Sequence, residues 1–451
     1  MQPNKLTWSP LSGALVLACS HAARLAVLLS AVVTFCSDTA AVAHTVARGR
    51  LVFAYADRPV VGVLDLDSGE ITHRFDVPRA NPRMVLSDEG RYVFILTGDD
   101  HGTVRILDTG VTFTSHGDHV DAEKGPVKLL EFATTGTRPS HITVANGWAT
   151  VFYDGQRNDK PQTSVPSKAG AIEIASLARA KPISVLLDTP GPQHGLAVAL
   201  GDHKFAVTSP NPAYARLEPG AGSLPLGIIA REGNGKKPFA TFDGSSKNQS
   251  SCPQLHGHAS VGKTHLFGCA GSPDTAAPGG MFVLQRQGRK WIGRSRAYPD
   301  GRRVSTLRAS QEARFAVGNY GEAGKYVALI RIDAQSTAPL VPADVFAVPD
   351  DQPVCQFAAV GDRVINLNPD GKLRVYRAVP DWKAITSFDM IDAFDCAYDA
   401  KSTRPSLAVL GEHAFVSDPL GKRIREFNLR TLQEGLDLPI DGVPGNLAVG
   451  D

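Results

Sequence analysis

Residues 50–77 read RLVFAYADRPVVGVLDLDSGEITHRFDV and contain three short apolar stretches separated by turns rich in Asp, Gly and Pro. Stretches of this length between such turns predict three antiparallel strands. Each later unit of the chain has an additional strand before the three that correspond to those of this first unit. The last residues, GVPGNLAVG at 442–450, match the missing strand. The two ends of the chain are therefore predicted to complete one sheet together.

The rest of the chain repeats a unit of one strand, a Gly-centred turn, a second strand, a polar loop, a third strand and a variable fourth. Seven complete units begin at 82–98, 138–155, 192–209, 255–271, 303–319, 354–368 and 404–418. A ring of four-stranded units, closed by the two chain ends, is a β-propeller, in which closure removes exposed sheet edges. We therefore expect an all-β propeller of eight blades, with seven as the alternative if one unit is divided wrongly.

The first 43 residues have the pattern of an export signal. Arg24 precedes the apolar run LAVLLSAVVTF at 25–35, and an Ala-Val-Ala cleavage motif ends at Ala43. We expect cleavage after Ala43 and export of the mature chain to the periplasm. Residues 44–451 are predicted to form a single propeller domain. The apolar run is shorter than the roughly 18 residues of a membrane span, so no membrane anchor is expected.

The balance of charge bears on the choice of partner. The chain has 47 Lys and Arg against 45 Asp and Glu, for a formal net charge of +2. So small an excess gives no electrostatic reason to bind nucleic acid or anionic lipid. Neither is expected as a partner.

Three histidines occupy equivalent positions in three consecutive units. Counted from the glycine of the first turn, His141 and His256 lie six residues before it and His194 seven. Because the first strand of a blade lines the central channel, we expect the three imidazoles to converge at one mouth. Three imidazoles and a fourth ligand satisfy tetrahedral Zn²⁺, although Cu²⁺ accepts the same ligands. A single buried histidine is more commonly a hydrogen-bonded core residue, so the shared register is what favours a metal site.

Two further groups are candidate ligands. The motif SHGDHVD carries His116, Asp118 and His119, and it predicts either a flexible metal arm or a polar turn. It follows the third strand of its unit, which places it at the mouth opposite the three histidines. Asp100, between a second and a third strand, is expected on the histidine side as a candidate fourth ligand or as a turn residue.

Four cysteines follow the cleavage site, and an even number in an oxidising compartment favours two disulfides. Their count allows three pairings. Cys252 precedes the first strand of its unit and Cys269 ends the second, so both are expected at the histidine mouth, within reach of a disulfide. Thiolate ligation of a metal is the alternative. Cys355 and Cys396, at the starts of neighbouring units, are candidates for the second bridge.

Seven short motifs follow one another along nearly the whole mature chain: HGDHVD, RPSHITV, PQHGLAV, CPQLHGHAS, FGCAG, GNYG at 318–321 and SDPL at 417–420. In this order they resemble the AztD-type periplasmic zinc metallochaperones. The resemblance implies a β-propeller that holds zinc and passes it to the zinc-binding protein of an ABC importer. The residues it singles out are His116, His119, His141, His194 and His256, with Cys252 paired to Cys269.

The chain departs from that family in two places. His258 stands where an acidic residue is expected after His-Gly. The family also implies a His-rich N-terminal arm, whereas only His44 follows the cleavage site here.

Three functions are compatible with these patterns. The leading hypothesis is a non-catalytic zinc carrier whose partner is the solute-binding protein of a zinc ABC importer. A metal-dependent, lactonase-like propeller hydrolase would need an open coordination position and a general base, for which Asp118 and Asp100 are candidates. A metal-free interaction scaffold is the third, and it predicts the same melting temperature with and without a chelator.

Overall fold

Across the described part of the chain, eight four-stranded antiparallel sheets are arranged in a ring, and the protein is a β-propeller. The structure, a computed structural model, describes residues 48–450 apart from 116–119, 234–236, 246–249, 272–278 and 398. The eight-blade prediction is confirmed. None of the helices among these residues is long and apolar enough to cross a bilayer.

The strands follow the predicted units, and each blade is built from consecutive strands except blade 1, which the chain end completes, and blade 2, which a hairpin interrupts. Blade 1 contains β1 Arg50–Tyr55, β2 Val60–Asp65 and β3 Ile71–Asp76. Blade 2 contains β4 Arg83–Leu86, β5 Tyr92–Leu96, β6 Thr103–Asp108 and β9 Lys128–Thr135, with a hairpin of β7 Val111–Ser115 and β8 Val120–Lys124 inserted before β9. Blade 3 contains β10 Pro139–Ala145, β11 Trp148–Tyr153, β12 Lys168–Glu173 and β13 Ser184–Asp188. Blade 4 contains β14 Ala197–Gly201, β15 Lys204–Ser209, β16 Gly227–Glu232 and β17 Pro238–Phe242.

The second half of the ring has the same construction. Blade 5 contains β18 Leu255–Val261, β19 Thr264–Cys269, β20 Gly280–Gln287 and β21 Lys290–Ala297. Blade 6 contains β22 Arg303–Ser310, β23 Phe315–Glu322, β24 Lys325–Asp333 and β25 Val345–Ala347. Blade 7 contains β26 Gln356–Val360, β27 Arg363–Leu367, β28 Lys372–Arg377 and β29 Lys383–Asp389. Blade 8 contains β30 Leu407–Leu410, β31 His413–Asp418, β32 Arg423–Asn428 and β33 Gln433–Pro439, and β34 Pro444–Leu447 returns to blade 1. The helical segments are α1 Pro212–Ala215 and the 3₁₀ turns Pro161–Thr163, Ile174–Ser176, Pro342–Asp344 and Pro349–Asp351.

The ring closes in blade 1, where the last strand pairs with the first. β34 lies antiparallel to β1, with Phe53 opposite Leu447, and the Ala448 amide donates to the Val52 carbonyl at 2.9 Å. The predicted closure by residues 442–450 is confirmed. Without β34, the backbone groups of β1 on this side would form an unpaired sheet edge.

The apolar core lies between the blades. The buried apolar side chains of the described residues form eight clusters, one between each pair of neighbouring blades. Alternation along a strand sends side chains to both neighbours. Val93 and Ile95 of β5 pack toward blade 1, whereas Phe94 packs toward blade 3. The cluster between blades 8 and 1 joins Phe415 to Phe53, so the same packing continues across the closure.

The two ends of the channel differ in the chain segments that they gather. We call the end at which the first strand of each blade begins the histidine mouth, because His141 and His256 lie near the starts of β10 and β18. The loops between second and third strands and the linkers between blades also lie there. The turns between first and second strands lie at the other end, which we call the opposite mouth.

Two disulfides join chain segments at the histidine mouth. Cys252–Cys269 links the linker before β18 to the end of β19, with the Cα atoms 5.0 Å apart. Cys355–Cys396 links the linkers on either side of blade 7, with the Cα atoms 5.9 Å apart. The sulfurs of these four cysteines are bonded in two pairs, so they are not metal ligands in this structure.

Candidate metal centre

Three histidines from blades 3, 4 and 5 meet at the histidine mouth. One nitrogen from each of His141, His194 and His256 lies within 4.8 Å of the other two, and the ring centroids are 4.8, 5.5 and 5.6 Å apart. Over the described ranges of the chain, this is the one set of three His, Cys, Asp or Glu side chains that approach so closely. Each residue is half-buried. The set therefore forms a pocket along one arc of the mouth, which we call the triad.

Irregular backbone aims these side chains into the channel. The register of β10 against β11 shifts between Pro139 and His141. The register of β18 against β19 shifts between Leu255 and His258, the segment that contains His256. Such bulges turn a side chain away from the regular alternation of the strand. His194 lies three residues before β14 begins, so sheet alternation does not constrain it.

Gly257 allows one of these bulges to form. Its φ is +82°, which disfavours any residue with a side chain, and a Cβ added there would lie 2.6 Å from the Ser305 carbonyl oxygen. That same oxygen accepts a hydrogen bond of 2.8 Å from His256 Nδ1. A glycine after His256 is thus what lets β22 approach closely enough to orient the imidazole.

A buried carboxylate orients His194. Asp154, which follows β11 and is 6% exposed, accepts from His194 Nδ1 at 2.8 Å through Oδ2 and from the Ser140 hydroxyl through Oδ1. A carboxylate can only accept, so the Nδ1 of His194 carries the hydrogen. The lone pair of His194 therefore lies on Nε2, which faces the other two rings. A carboxylate that holds a histidine in this way is a common support of metal sites.

A relay from a neighbouring blade orients His256. The Ser305 carbonyl that accepts from His256 lies in a bulge of β22, and the Asn319 side-chain oxygen accepts from the Ser305 amide at 3.0 Å and from the Thr306 amide at 2.7 Å. A carbonyl also only accepts, so His256 is protonated on Nδ1 and presents Nε2 to the channel. Asn319 is buried and belongs to the GNYG motif.

His141 completes the triad. Its Nε2 lies 3.1 Å from His194 Nε2, and since that atom of His194 is an acceptor, His141 donates this hydrogen bond. Tetrahedral Zn²⁺ with bonds of about 2.0 to 2.1 Å places its ligand nitrogens roughly 3.3 to 3.4 Å apart. A metal ion between the two rings would replace the shared hydrogen with little movement of either ring. The nitrogen donors and their spacing fit a tetrahedral ion that has one further position.

The chain is similar to a known protein over most of its length. No protein-family model matches the chain. Over 409 residues, covering 89% of this chain and 86% of the relative, it is 26% identical to the zinc chaperone AztD of Citrobacter koseri. The resemblance to the AztD-type chaperones is confirmed.

Solved structures of Citrobacter koseri AztD share the fold. One has a TM-score of 0.72 at 24% identity, and the structure of the apo protein has 0.70 at 22% identity. Both alignments cover 88% of this chain and 96% of the AztD chain. At these identities the likeness establishes the propeller and leaves the chemistry to the residues themselves.

Two of the triad histidines, His141 and His256, favour the neutral form that binds a metal. Burial lowers the pKa of His141 well below its ordinary value, and the positive charge of Arg83 and the two other rings lower it further. Burial also lowers the pKa of His256, against the opposing effect of its hydrogen bond to Ser305. At neutral pH these rings therefore present lone pairs and not a repelling charge.

The other predicted ligands are Asp100 and three residues of the HGDHVD motif. His116, Asp118 and His119 of the AztD-type motif HGDHVD lie outside the described residues. The base of their hairpin is at the opposite mouth, because the Phe113 ring lies against Gly90 in the turn between β4 and β5. Asp100 forms an exposed ion pair with Arg79 at 3.1 Å.

His258, the departure from the AztD-type pattern, is buried away from the channel. The Ser260 hydroxyl lies between its Nε2, at 3.2 Å, and the Nδ1 of His265, at 2.9 Å, and the two imidazoles stack at 5.8 Å. It belongs to the interior of blade 5 and not to the triad.

Two supporting residues, Asp154 and Asn319, were not predicted from the sequence. Asp154 follows a second strand in a polar loop, where an acidic residue is typical and attracts no attention. Asn319 lies within the GNYG motif, and a buried Asn inside a strand was an available signal, since Asn is depleted in strands. Neither role follows from position alone, because each depends on a contact between blades.

Proposed function

We propose that the protein is a periplasmic zinc chaperone that binds Zn²⁺ at His141, His194 and His256. The observation that carries the proposal is the meeting of three imidazoles, two of which are held with their Nε2 lone pairs toward the others. Similarity to a zinc chaperone over most of the chain supports zinc as the metal.

The position of the triad suits transfer. A mouth is open to a docking partner, and the His194 side chain remains 33% exposed. Three protein ligands leave a fourth tetrahedral position on the metal. A ligand atom of the partner protein can occupy this position before the histidines dissociate. The metal can thus pass from one protein to the other by exchanging ligands one at a time.

The proposed acceptor is the solute-binding protein of a zinc ABC importer. The export signal expected in residues 1–43 would deliver the chain to the compartment in which such proteins work. The disulfides Cys252–Cys269 and Cys355–Cys396 agree with an oxidising location.

Hydrolysis is disfavoured by the state of the nearby carboxylate. A hydrolase needs a base free to take a proton from a metal-bound water. Asp154, the carboxylate that contacts the triad, has both oxygens engaged, by His194 and by Ser140. It supports a ligand and is not available as a base.

Metal analysis of the exported protein tests the proposal. We expect about one zinc per chain, lost when His141, His194 and His256 are all changed to Ala, while the fold survives. His101→Ala changes an exposed histidine on the same mouth and should keep the zinc. The loaded protein should also transfer zinc to the metal-free acceptor when a competing chelator is present.

Two results would contradict this assignment. Zinc retained by the triple variant would move the site to His116 and His119. An absence of zinc from both proteins would favour the metal-free scaffold.

A further inference from the structure

A small polar cavity opens beside His194 at the histidine mouth. Its volume is about 110 Å³. The residues that line it include Arg138, Asp154, Arg157, His194, Tyr214 and Ser223. These residues come from the loops of blades 3 and 4 that surround the triad. The cavity therefore shares His194 with the proposed metal site, whereas His141 and His256 do not line it.

Two arginines that line this cavity have no acidic partner in the described part of the chain. Among the described residues, no carboxylate lies within ion-pair distance of Arg138 or Arg157. In contrast, Arg91 and Arg302 each contact an aspartate at 2.7–2.8 Å. The Arg157 guanidinium lies over the Tyr214 ring, 4.4 Å from its centroid, which orients the group while leaving its N–H edge unused.

The backbone at Arg138 is strained. Its φ is +60°, in the left-handed region that residues with side chains seldom adopt. The conformation is held because the Arg138 carbonyl accepts from the Asp154 amide at 2.9 Å. Strain maintained at a non-glycine residue beside a site is often linked to what the side chain does there.

The charge of the cavity favours an anion. Asp154 is the one carboxylate that lines it, and both of its oxygens already accept, from His194 and Ser140. Two guanidinium charges against one carboxylate leave an excess of one positive charge. A planar guanidinium matches a carboxylate with two parallel hydrogen bonds, and two residues with hydroxyl groups, Tyr214 and Ser223, also line the cavity. With about 30 Å³ per water molecule, the cavity has room for a carboxylate and a short stem.

We propose that this cavity binds a carboxylate through Arg138 and Arg157, and that in the working protein the carboxylate is an Asp or Glu side chain of the protein that accepts the metal. The proposal rests on the zinc-chaperone function and adds to it the chemistry by which the acceptor is seated over the triad.

Such a cavity would couple docking to loading. A bound Zn²⁺ adds positive charge next to the cavity, so the loaded protein attracts the carboxylate more strongly than the empty one. When the metal leaves, this attraction falls and the acceptor dissociates. By linkage, a carboxylate in the cavity must strengthen metal binding by the same factor.

The test compares charge-matched variants. Arg138→Gln with Arg157→Gln removes both guanidiniums from the cavity. Arg179→Gln with Arg289→Gln removes the same charge from two exposed positions that do not line it. Because Arg138 is exposed and Arg157 is only half-buried, the cavity variant is expected to fold, and circular dichroism with zinc content at the triad checks this. Arg138→Lys with Arg157→Lys keeps the charge but removes the paired hydrogen bonds.

The first arm measures acetate binding to the metal-free protein by NMR titration. We expect saturable shifts at Arg138 and Arg157 that are lost in the Gln pair and retained in the control pair. This arm does not require zinc, so it can fail while the zinc function stands, and the zinc function can fail while this arm succeeds.

The second arm measures association of the zinc-loaded protein with the metal-free acceptor by surface plasmon resonance. We expect about a tenfold loss of affinity in the Gln pair, a smaller loss in the Lys pair and no change in the control pair. Acetate binding with unchanged acceptor affinity would assign the cavity to a free carboxylate and overturn the docking proposal. No acetate binding and no change in acceptor affinity would overturn the site itself.

Discussion

At the scale of single residues, the triad depends on side chains that contact no metal. His194 and His256 each donate a hydrogen bond from Nδ1 to an acceptor on a neighbouring blade. The acceptor is Asp154 for His194 and the Ser305 carbonyl for His256. Each contact selects one tautomer and so leaves Nε2 as the donor atom for a metal. These supports orient the ligands of the site, and they yield two predictions.

Changing Asp154 should weaken zinc binding without removing a ligand. Asp154→Ala leaves His194 free to rotate and to take the other tautomer, and supporting carboxylates of this kind contribute about 10- to 100-fold to metal affinity. Asp154→Asn keeps a neutral acceptor and should lose less. Competition with a chromophoric chelator measures the affinity. Asp100→Asn, an exposed acid on the same mouth, is the control, and an equal loss there would mean that only overall charge matters.

Changing Asn319 should act on His256 across the blade interface. Asn319→Leu removes the acceptor that holds the Ser305 and Thr306 amides, so the bulge relaxes and the Ser305 carbonyl turns from His256. We expect about a tenfold loss of zinc affinity and a mixture of His256 tautomers in ¹⁵N NMR spectra. Asn319→Asp keeps an acceptor oxygen and should restore most of the affinity. A single His256 tautomer in Asn319→Leu would contradict the relay.

At the scale of the element, the inner strand β18 combines an irregular start with a buried polar centre. Its bulge brings His256 to the mouth, and farther along the strand His258 and Ser260 face inward to meet His265 of β19. The first feature serves the site and the second affects the stability of blade 5. Each can be tested separately.

Gly257→Ala should damage the bulge. The added methyl group would lie 2.6 Å from the Ser305 oxygen at a φ of +82°, so the strand must shift and His256 with it. We expect about 1 to 3 kcal/mol of destabilisation together with weakened zinc binding. Gly262→Ala is the matched control, since it also has a positive φ but open space around the new methyl group. It should destabilise the protein with no effect on zinc, as measured by thermal unfolding and chelator competition.

Acid should destabilise blade 5 through His265. Burial lowers the pKa of His265 to about 4, against an ordinary value of 6.5. The unfolded chain therefore binds a proton at a higher pH than the folded one, and stability from this group is complete above pH 6.5 and falls between pH 6.5 and 4. The loss is on the order of 3 kcal/mol. Melting temperatures of the metal-free protein over this range should fall less steeply in His265→Gln, which cannot titrate, and equal slopes would exclude this cause.

At the scale of the whole molecule, the ring depends on one noncovalent closure. Seven interfaces join blades that are consecutive in the chain, whereas the eighth is completed by β34 from the far end. The closure brings Leu447 into the core beside Phe53 and pairs the backbone of β1. Closure should therefore contribute more to stability than its few residues suggest.

Truncation after Ile440 should open the ring. It removes β34 and leaves β1 with an unpaired edge and an exposed apolar seam, so we expect a much lower melting temperature and self-association. Removing only Gly450 and Asp451 is the control. Size-exclusion chromatography with thermal unfolding measures both effects, and a monomeric truncated protein of unchanged stability would show that the closure is dispensable.

Much of this architecture could be predicted from the sequence, because strand periodicity and turn residues are local signals that repeat. The units beginning at 82–98 through 404–418 correspond to blades 2–8, and the orphan strand at 442–450 closes blade 1. The triad histidines were a signal of the same kind, because each lies six or seven residues before the first-turn glycine of its own unit. The support of His194 by Asp154, and of His256 by Asn319 through Ser305, was not predictable, since each acts across a blade interface whose spacing follows from the packing of the ring.

The closure also decides which side of the molecule the chain ends occupy. Gly49 bonds to Leu66 at the end of β2, and Val449 bonds to Leu86 at the end of β4, so both ends of the described chain lie at the opposite mouth. An affinity tag, fluorophore or surface tether fused at either end would leave the triad facing solution. The propeller could thus be immobilised on an electrode or bead as an oriented zinc-capturing layer, with its exchange face outward by construction.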